Sequence, residues 1–249
     1  MSVTLPPVAL LHGWGGSFAS TFAASGWRCA LAEAGRTVIA ADLPGHGEKA
    51  SRNSVDYSDL AADLDARLPP GPLDVVGYSL GGKLALAIAS RNPNRFRRLV
   101  IGGVGDNLFA PEPVATALAD ALDLGVGPDT PEQLKALIQY ATADGNDPLA
   151  LAAVLRRPPN PVLADRNLAG LAAVLLVNGA EDRIALPDQR LRDAMPQASY
   201  VSLAGTDHLS LASAPKFMAA ALKFLGVRGR RDGGSYPQAS TSASTQFAG

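Results

Sequence analysis

Short apolar runs alternate with longer segments of helical periodicity along most of this chain. The runs hold four to eight residues, are apolar at nearly every position and end near glycine or aspartate, as buried parallel strands do. They are VALL (8–11), TVIAA (37–41), LDVV (73–76), RLVIGG (98–103), AAVLLVNG (172–179) and SYVSLAG (199–205). The helix-length segments between them are 19–34, 55–68, 80–92, 187–195 and 210–225. This alternation predicts an α/β fold, a parallel six-stranded sheet with helices on both faces.

The alternation breaks once, over residues 105–170, where no strand-like run appears. Thr130 and Gln133 fit a capping box there, with Pro131 at the first helical position. We expect a helical cap over the carboxyl end of the sheet, because ligands bind and lids gather at that end. The alternative is an elaborated crossover packed on the side of the sheet. The Ala/Leu-rich helical segments of this region are 113–125, 130–143 and 147–157.

The remaining chain divides into a core and a tail. Residues 1–104 and 171–226 form the predicted core, whereas 227–249 is rich in Gly, Ser and Thr without periodicity and is predicted to be disordered. The formal net charge of -1 offers no basic surface for nucleic acid. The single cysteine, Cys29, excludes an intramolecular disulfide. Without a signal-peptide pattern or ~20 consecutive apolar residues, we expect a cytoplasmic protein with no integral membrane segment.

The segment GYSLGG, residues 77–82, places one serine between a predicted strand and a predicted helix. One interpretation is a turn that requires small residues. The other is a nucleophile elbow, in which a strained strand-to-helix turn exposes the hydroxyl of Ser79. Gly77 and Gly81 would then let strand and helix approach closely, and the helix N-terminus would favour developing negative charge.

Two further motifs accompany the serine: HGWGG (12–16) follows the first strand and DLPGHG (42–47) follows the second. In this order and spacing, the sequence resembles the α/β-hydrolase fold family, in its serine hydrolase branch. That family usually begins with a β-hairpin, for which the segment before residue 8 has no room. We therefore expect an all-parallel sheet with TVIAA at an edge, which a homodimer partner could cover. The alternative is that the true start of the chain lies further upstream.

A serine hydroxyl needs an adjacent general base, usually histidine. The chain has three histidines. His12 and His46 precede glycines in tight loops, which favours a structural role in which their rings bond the backbone. His208 follows the last strand, where the family supplies its base, and the resemblance implies that role for it.

The orienting carboxylate follows the serine and precedes the histidine in this fold. By resemblance it is Asp182, in the loop after AAVLLVNG, with Asp106 after the preceding strand as the rival. We expect Glu181 to be solvated and Asp207 to act in a turn or cap.

By resemblance, the backbone N–H groups of Trp14 and Leu80 form the oxyanion hole. The side chains of Trp14 and Tyr78 would flank the nucleophile as apolar walls of the substrate pocket. Plain packing is the alternative for Trp14.

A serine nucleophile excludes two reaction classes of this family, because its dehalogenases and epoxide hydrolases use aspartate at the position of Ser79. HGWGG also lacks the HGxGPG form common in C–C hydrolases. The motifs look most like those of small bacterial carboxylesterases, including those that cleave methyl esters of carrier-bound acyl chains. We expect hydrolysis of a small to medium carboxylic ester through an acyl-enzyme, with no metal or cofactor. The alternatives are a thioesterase, a cofactor-free perhydrolase, or a catalytically idle fold that binds a small molecule or a protein.

Overall fold

A sheet of six parallel strands runs through the part of the chain that the computed structural model describes. The described residues are 5–47, 50–109, 114–158, 163, 165–171 and 173–227. The predicted disordered tail lies outside them from residue 228 onward. The strands are β1 (Val8–Leu11), β2 (Val38–Ala40), β3 (Leu73–Tyr78), β4 (Phe96–Gly102), β5 (Val174–Gly179) and β6 (Ser199–Leu203).

The strand order is β2-β1-β3-β4-β5-β6, and every pairing in it is parallel. This confirms the predicted sheet and the edge position of TVIAA, which becomes the three-residue strand β2. The chain passes from β1 to β2 on one side and returns to β3 on the other side. Ligands bind in open α/β sheets outside the carboxyl ends of the strands at such a reversal, here between β1 and β3.

Helices cover both faces of the sheet because neighbouring strand residues point to opposite sides. Val75 joins one apolar cluster with Leu64 and Leu84, while Val76 joins a second cluster with Trp27 and Phe217. No described helix is both long and apolar enough to cross a membrane. The helices are α1 (Trp27–Glu33), α2 (Leu60–Arg67), α3 (Leu80–Arg91), α4 (Val114–Leu124), α5 (Glu132–Thr142), α6 (Pro148–Leu155), α7 (Asp165–Ala169), α8 (Gln189–Ala194), α9 (His208–Leu211) and α10 (Pro215–Phe224), with short helical turns at Ala19–Ala23, Ser54–Tyr57 and Asp106–Leu108.

Some predicted helix boundaries are wrong. The segment 19–34 is divided at Gly26, whose φ of 83° lies in the left-handed region. The segment 210–225 is divided before Pro215, which begins α10 because a proline lacks the N–H that a continuous helix needs. The capping box is also absent: α5 begins at Glu132, and the Thr130 hydroxyl accepts from a preceding turn instead, from the Gly127 N–H at 3.0 Å.

The helices between β4 and β5 reach the carboxyl end of the sheet. Helices α4, α5 and α6 share their own apolar cluster, which includes Leu118 and Leu151. Ala141 lies against Gly15 in the loop after β1. Helix α7 differs, since its Leu168 packs in the sheet cluster with α3 and α8. Helix α7 thus contacts helices of the predicted core, although it lies within the predicted cap bounds of 105–170.

A buried ion network closes the opposite end of the sheet. Asp74 at the start of β3 is fully buried and accepts from Arg36 and from Arg97, whose Nε lies 2.9 Å from the carboxylate. Arg36, itself only 3% exposed, also donates to the carbonyls of Pro6 (2.7 Å) and Leu225 (3.2 Å). This network joins β3 to the segment before β1 and to the end of α10.

We expect Asp74→Asn to lower the free energy of unfolding by about 3–5 kcal/mol, because it leaves the buried Arg36 cation without its counter-charge. Urea denaturation would measure the loss. The matched control is Asp59→Asn, which removes an exposed pair with Arg91 but keeps a good helix cap, and should cost no more than about 1 kcal/mol. Equal losses in the two variants would contradict the prediction.

Candidate active site

Ser79 occupies a sharp turn between β3 and α3. Its φ of 50° and ψ of −116° make it the one non-glycine residue with positive φ among those described. This strained backbone is held at both ends: the Ser79 N–H donates to the Gly102 carbonyl at 2.8 Å, and its carbonyl accepts from the Lys83 N–H at 3.0 Å. Such strain persists where the surroundings enforce it, and it often marks a functional site.

The glycines around Ser79 leave no space for a side chain. A Cβ at Gly77 would lie 2.7 Å from the Gly82 Cα, and a Cβ at Gly81 would lie 2.5 Å from the His12 carbonyl oxygen. The Gly81 N–H donates to the same carbonyl at 3.0 Å. The close approach of strand and helix predicted for positions 77 and 81 is thereby confirmed.

Ser79, His208 and Asp182 lie in one chain of hydrogen bonds. The His208 Nε2 is 2.9 Å from the Ser79 Oγ, and its Nδ1 is 2.8 Å from the Asp182 Oδ2. A carboxylate can only accept, so Nδ1–H donates to Asp182, and Nε2 is left to accept the proton of the serine hydroxyl. Three loops at the carboxyl ends of β3, β5 and β6 supply these side chains.

Asp182 is oriented by its own backbone. It is fully buried, and its Oδ1 accepts from the N–H groups of Ile184 at 2.9 Å and Ala185 at 2.8 Å, which directs Oδ2 toward His208. The rival Asp106 instead accepts from the Leu191 N–H at 2.9 Å, in the first turn of α8. The structure thus brings Asp182, and not Asp106, to the histidine.

The other two acidic neighbours have positions that fit the expectations for them. Glu181 is exposed. Asp207 caps α9, accepting from the Ser210 N–H at 2.9 Å, and the hydroxyl and N–H of Ser210 together lower the pKa of Asp207.

The two predicted oxyanion donors lie beside the nucleophile. Within the described residues, neither the Trp14 N–H nor the Leu80 N–H donates to a protein acceptor. The loop that carries Trp14 approaches Ser79 closely, because a Cβ at the preceding Gly13 would lie 3.2 Å from the Ser79 Cβ. An oxyanion hole requires two such backbone donors, and the assignment of these two N–H groups to one stays a prediction.

The two predicted pocket walls differ in position. Tyr78 is 2% exposed, its hydroxyl donates to the His208 carbonyl at 2.6 Å, and its ring centroid is 5.3 Å from that of the imidazole. Tyr78 thus contacts His208 through both its hydroxyl and its ring, and its role as a pocket wall stays a prediction. Trp14 packs against the cap cluster, and its Nε1–H donates to the Leu151 carbonyl at 3.3 Å.

His12 and His46 bond the backbone, as predicted, but they do so across two loops. His12 accepts from the Leu43 N–H at 3.0 Å, and His46 accepts from the Gly15 N–H at 2.9 Å. The two rings touch edge to face with centroids 4.9 Å apart. Burial, and then the neighbouring His12, lower the pKa of His46 to about 3, which keeps the imidazole neutral and able to accept at pH 7.

Sequence reasoning missed Asn146 in the turn between α5 and α6. Its side chain is buried and reaches the Gly15 carbonyl, 131 positions away. Contacts at that separation leave no local pattern, so only the folded chain reveals them. The described residues contain no group of three or more His, Cys, Asp or Glu side chains suited to a metal ion.

A model of the alpha/beta hydrolase family matches residues 8–221 of this chain. The chain belongs to the alpha/beta hydrolase family. This confirms the resemblance carried by HGWGG, DLPGHG and GYSLGG.

Two curated relatives share part of this alpha/beta hydrolase. A 2-hydroxy-6-oxo-2,4-heptadienoate hydrolase of Pseudomonas putida is 37% identical over 146 residues, which cover 54% of this chain and 49% of that protein. A pimeloyl-acyl-carrier-protein methyl ester esterase of Neisseria meningitidis is 35% identical over 134 residues, which cover 53% and 41%. The matched stretches thus span less than half the length of these relatives.

Among solved structures, NosK from Streptomyces actuosus has the same fold. The TM-score is 0.65 at 23% sequence identity, and the match covers 89% of this chain and 97% of that one. At this identity the likeness shows the fold alone.

Proposed function

We propose that this protein is a serine hydrolase that cleaves a small to medium carboxylic ester through an acyl-enzyme on Ser79. The observation that carries the proposal is the hydrogen-bond chain from Ser79 through His208 to Asp182, with distances of 2.9 and 2.8 Å. Its serine sits on a strained elbow beside two backbone N–H groups with no protein acceptor among the described residues.

The reaction begins with a proton transfer. His208 Nε2 takes the hydroxyl proton as Ser79 Oγ attacks the ester carbonyl carbon, and the carbonyl oxygen becomes an oxyanion. The N–H groups of Trp14 and Leu80 donate to that oxyanion. Asp182 stabilises the imidazolium and keeps its Nδ1 protonated.

The tetrahedral intermediate then collapses. His208 returns the proton to the departing alcohol oxygen, which leaves the acyl group on Ser79. A water molecule attacks this acyl-enzyme with His208 again as the base, and the acid and free serine are released.

Two findings favour an ester substrate with an apolar acyl part. The relative from Neisseria meningitidis is named for a methyl ester, and the motif HGWGG lacks the form common in C–C hydrolases. The helices that pack against Trp14 are rich in Ala and Leu, with Leu118, Ile138 and Leu151 in their apolar cluster. This composition suits a short or medium apolar acyl group, whose burial would contribute about 25 cal/mol per Å².

The test is a series of p-nitrophenyl esters from acetate to laurate, run with a fluorophosphonate label. We expect turnover that is highest for short or medium acyl chains, and one covalent adduct that peptide mapping places on Ser79. Faster cleavage of acyl thioesters would reassign the protein as a thioesterase. Peroxide-dependent dye oxidation with acetate that outpaces hydrolysis would reassign it as a perhydrolase. Inertness throughout, with no adduct, would overturn the proposal in favour of a binding protein.

A further inference from the structure

The peptide groups of the loop after β1 are held by side chains from other parts of the chain. The Gly15 N–H donates to His46 Nε2 at 2.9 Å, and the Gly15 carbonyl accepts from Asn146 Nδ2 at 2.8 Å. His46 comes from the loop after β2, whereas Asn146 comes from the cap. The oxyanion loop, HGWGG (12–16), is therefore attached to the cap at a backbone position next to Trp14.

Burial and hydrogen bonds hold the Asn146 side chain in this position. It is 7% exposed, and both ends of its amide are used, since Oδ1 accepts from the Gly47 N–H at 2.7 Å. Its chain neighbours are docked as well: Asp144 accepts from Ser20, and Asp147 accepts from Arg52.

Gly15 has little freedom to move away from the cap. Its φ of 77° favours glycine, and a Cβ there would lie 2.8 Å from the Cα of Ala141 in α5. The backbones of loop and cap helix thus touch directly.

Two peptide groups connect the hydrogen bond of Asn146 to the Trp14 N–H. Asn146 donates to the carbonyl of the Gly15–Gly16 peptide, and the N–H of that peptide donates to the Gly13 carbonyl at 3.1 Å. The Gly13 carbonyl also accepts from His12 Nδ1 at 2.8 Å, so the relay adds a second hydrogen bond to this carbonyl. Gly13 and Trp14 share the next peptide, whose N–H is the oxyanion donor. In a trans peptide the C=O and N–H point in opposite directions, so holding one end directs the other.

We propose that Asn146 is a positioning residue that aims and polarises the Trp14 N–H through this two-peptide relay. Successive hydrogen bonds polarise one another, which makes the last donor stronger. The hydrogen bond from Asn146 then strengthens a donor that His12 and His46 already hold in place. This inference rests on the proposed function.

The decisive variant is Asn146→Asp, which keeps the acceptor for Gly47 but replaces the donor to Gly15 with a carboxylate oxygen. Asn53→Asp is the matched control, because it makes the same chemical and charge change at an exposed helix cap, where aspartate keeps the bond from the Val55 N–H and loses only a long contact to the exposed Asp56. Asn146→Ala removes the donor without adding charge, and serves if Asn146→Asp fails to fold.

We expect Asn146→Asp and Asn146→Ala to lower kcat by about 10- to 100-fold, below the 10²–10³ of deleting an oxyanion donor outright. KM should change little, because the ground-state carbonyl gains less from the hole than the transition state does. Affinity for a phenylboronic acid, whose tetrahedral adduct fills the hole, should fall by the same factor as kcat/KM. Asn53→Asp should behave as wild type.

Rates are taken per folded active site, counted by complete fluorophosphonate labelling. The inference is overturned if either Asn146 variant has the kcat and the boronate affinity of the wild type. It is also overturned if the loss of kcat disappears once rates are expressed per labelled active site. Failure of the proposed function looks different, because the wild type itself would then neither hydrolyse esters nor bind the boronate.

Discussion

Ser79→Ala is expected to lower kcat by about 10⁶-fold on the best p-nitrophenyl ester and to abolish fluorophosphonate labelling. The reason is that the Ser79 Oγ has a 2.9 Å contact to His208 and stands next to the N–H groups of Leu80 and Trp14, for which the described residues provide no acceptor. Alanine keeps the Cβ, so the elbow and the fold should remain. Steady-state hydrolysis and intact-protein mass would provide the two measurements.

The control for this variant is Ser90→Ala. Ser90 lies on the same helix, α3, and its hydroxyl donates to the Ala87 carbonyl at 2.8 Å, remote from the elbow. It should hydrolyse and label as the wild type does. If Ser79→Ala retained the activity of Ser90→Ala, the hydrolysis would come from another group, and GYSLGG would be a turn that only requires small residues.

The second large effect is expected from Asp182→Asn, with kcat lowered by about 10⁴-fold and KM little changed. The Asp182 carboxylate accepts the Nδ1 proton of His208 at 2.8 Å and so leaves Nε2 free to act as a base. An asparagine can present its NH₂ to Nδ1, which favours the tautomer with the proton on Nε2. That tautomer cannot take the proton of Ser79.

Asp106→Asn makes the same chemical change at the rival carboxylate, and so distinguishes the two candidates for the orienting acid. Its side chain accepts from the Leu191 N–H, a bond that the asparagine oxygen can keep, so kcat should stay near that of the wild type. A large loss in Asp106→Asn together with an active Asp182→Asn would reverse the assignment of the orienting carboxylate.

The sheet and the elbow could be predicted from sequence because their signals are local. A buried parallel strand shows as a run such as VALL, and each of the six runs contains or overlaps one strand of the sheet. The glycines at 77 and 81 stand next to the serine they accommodate. Helix ends were predicted less well, because Gly26 and Pro215 interrupt patterns whose periodicity is otherwise helical.

For the candidate site, the sequence by itself determined which candidate residues the chain contains and in which order they occur. These are one serine on a predicted elbow, a histidine after the last strand and, between them, two candidate aspartates, Asp106 and Asp182. Only the tertiary structure decided that Asp182 reaches His208, that Tyr78 donates to the His208 carbonyl, and that Asn146 donates to the loop after β1. The physical reason is distance along the chain. Backbone propensity and periodicity act over a few residues, whereas these three contacts join positions 26, 130 and 131 residues apart, and their geometry exists only once the strands and cap have packed.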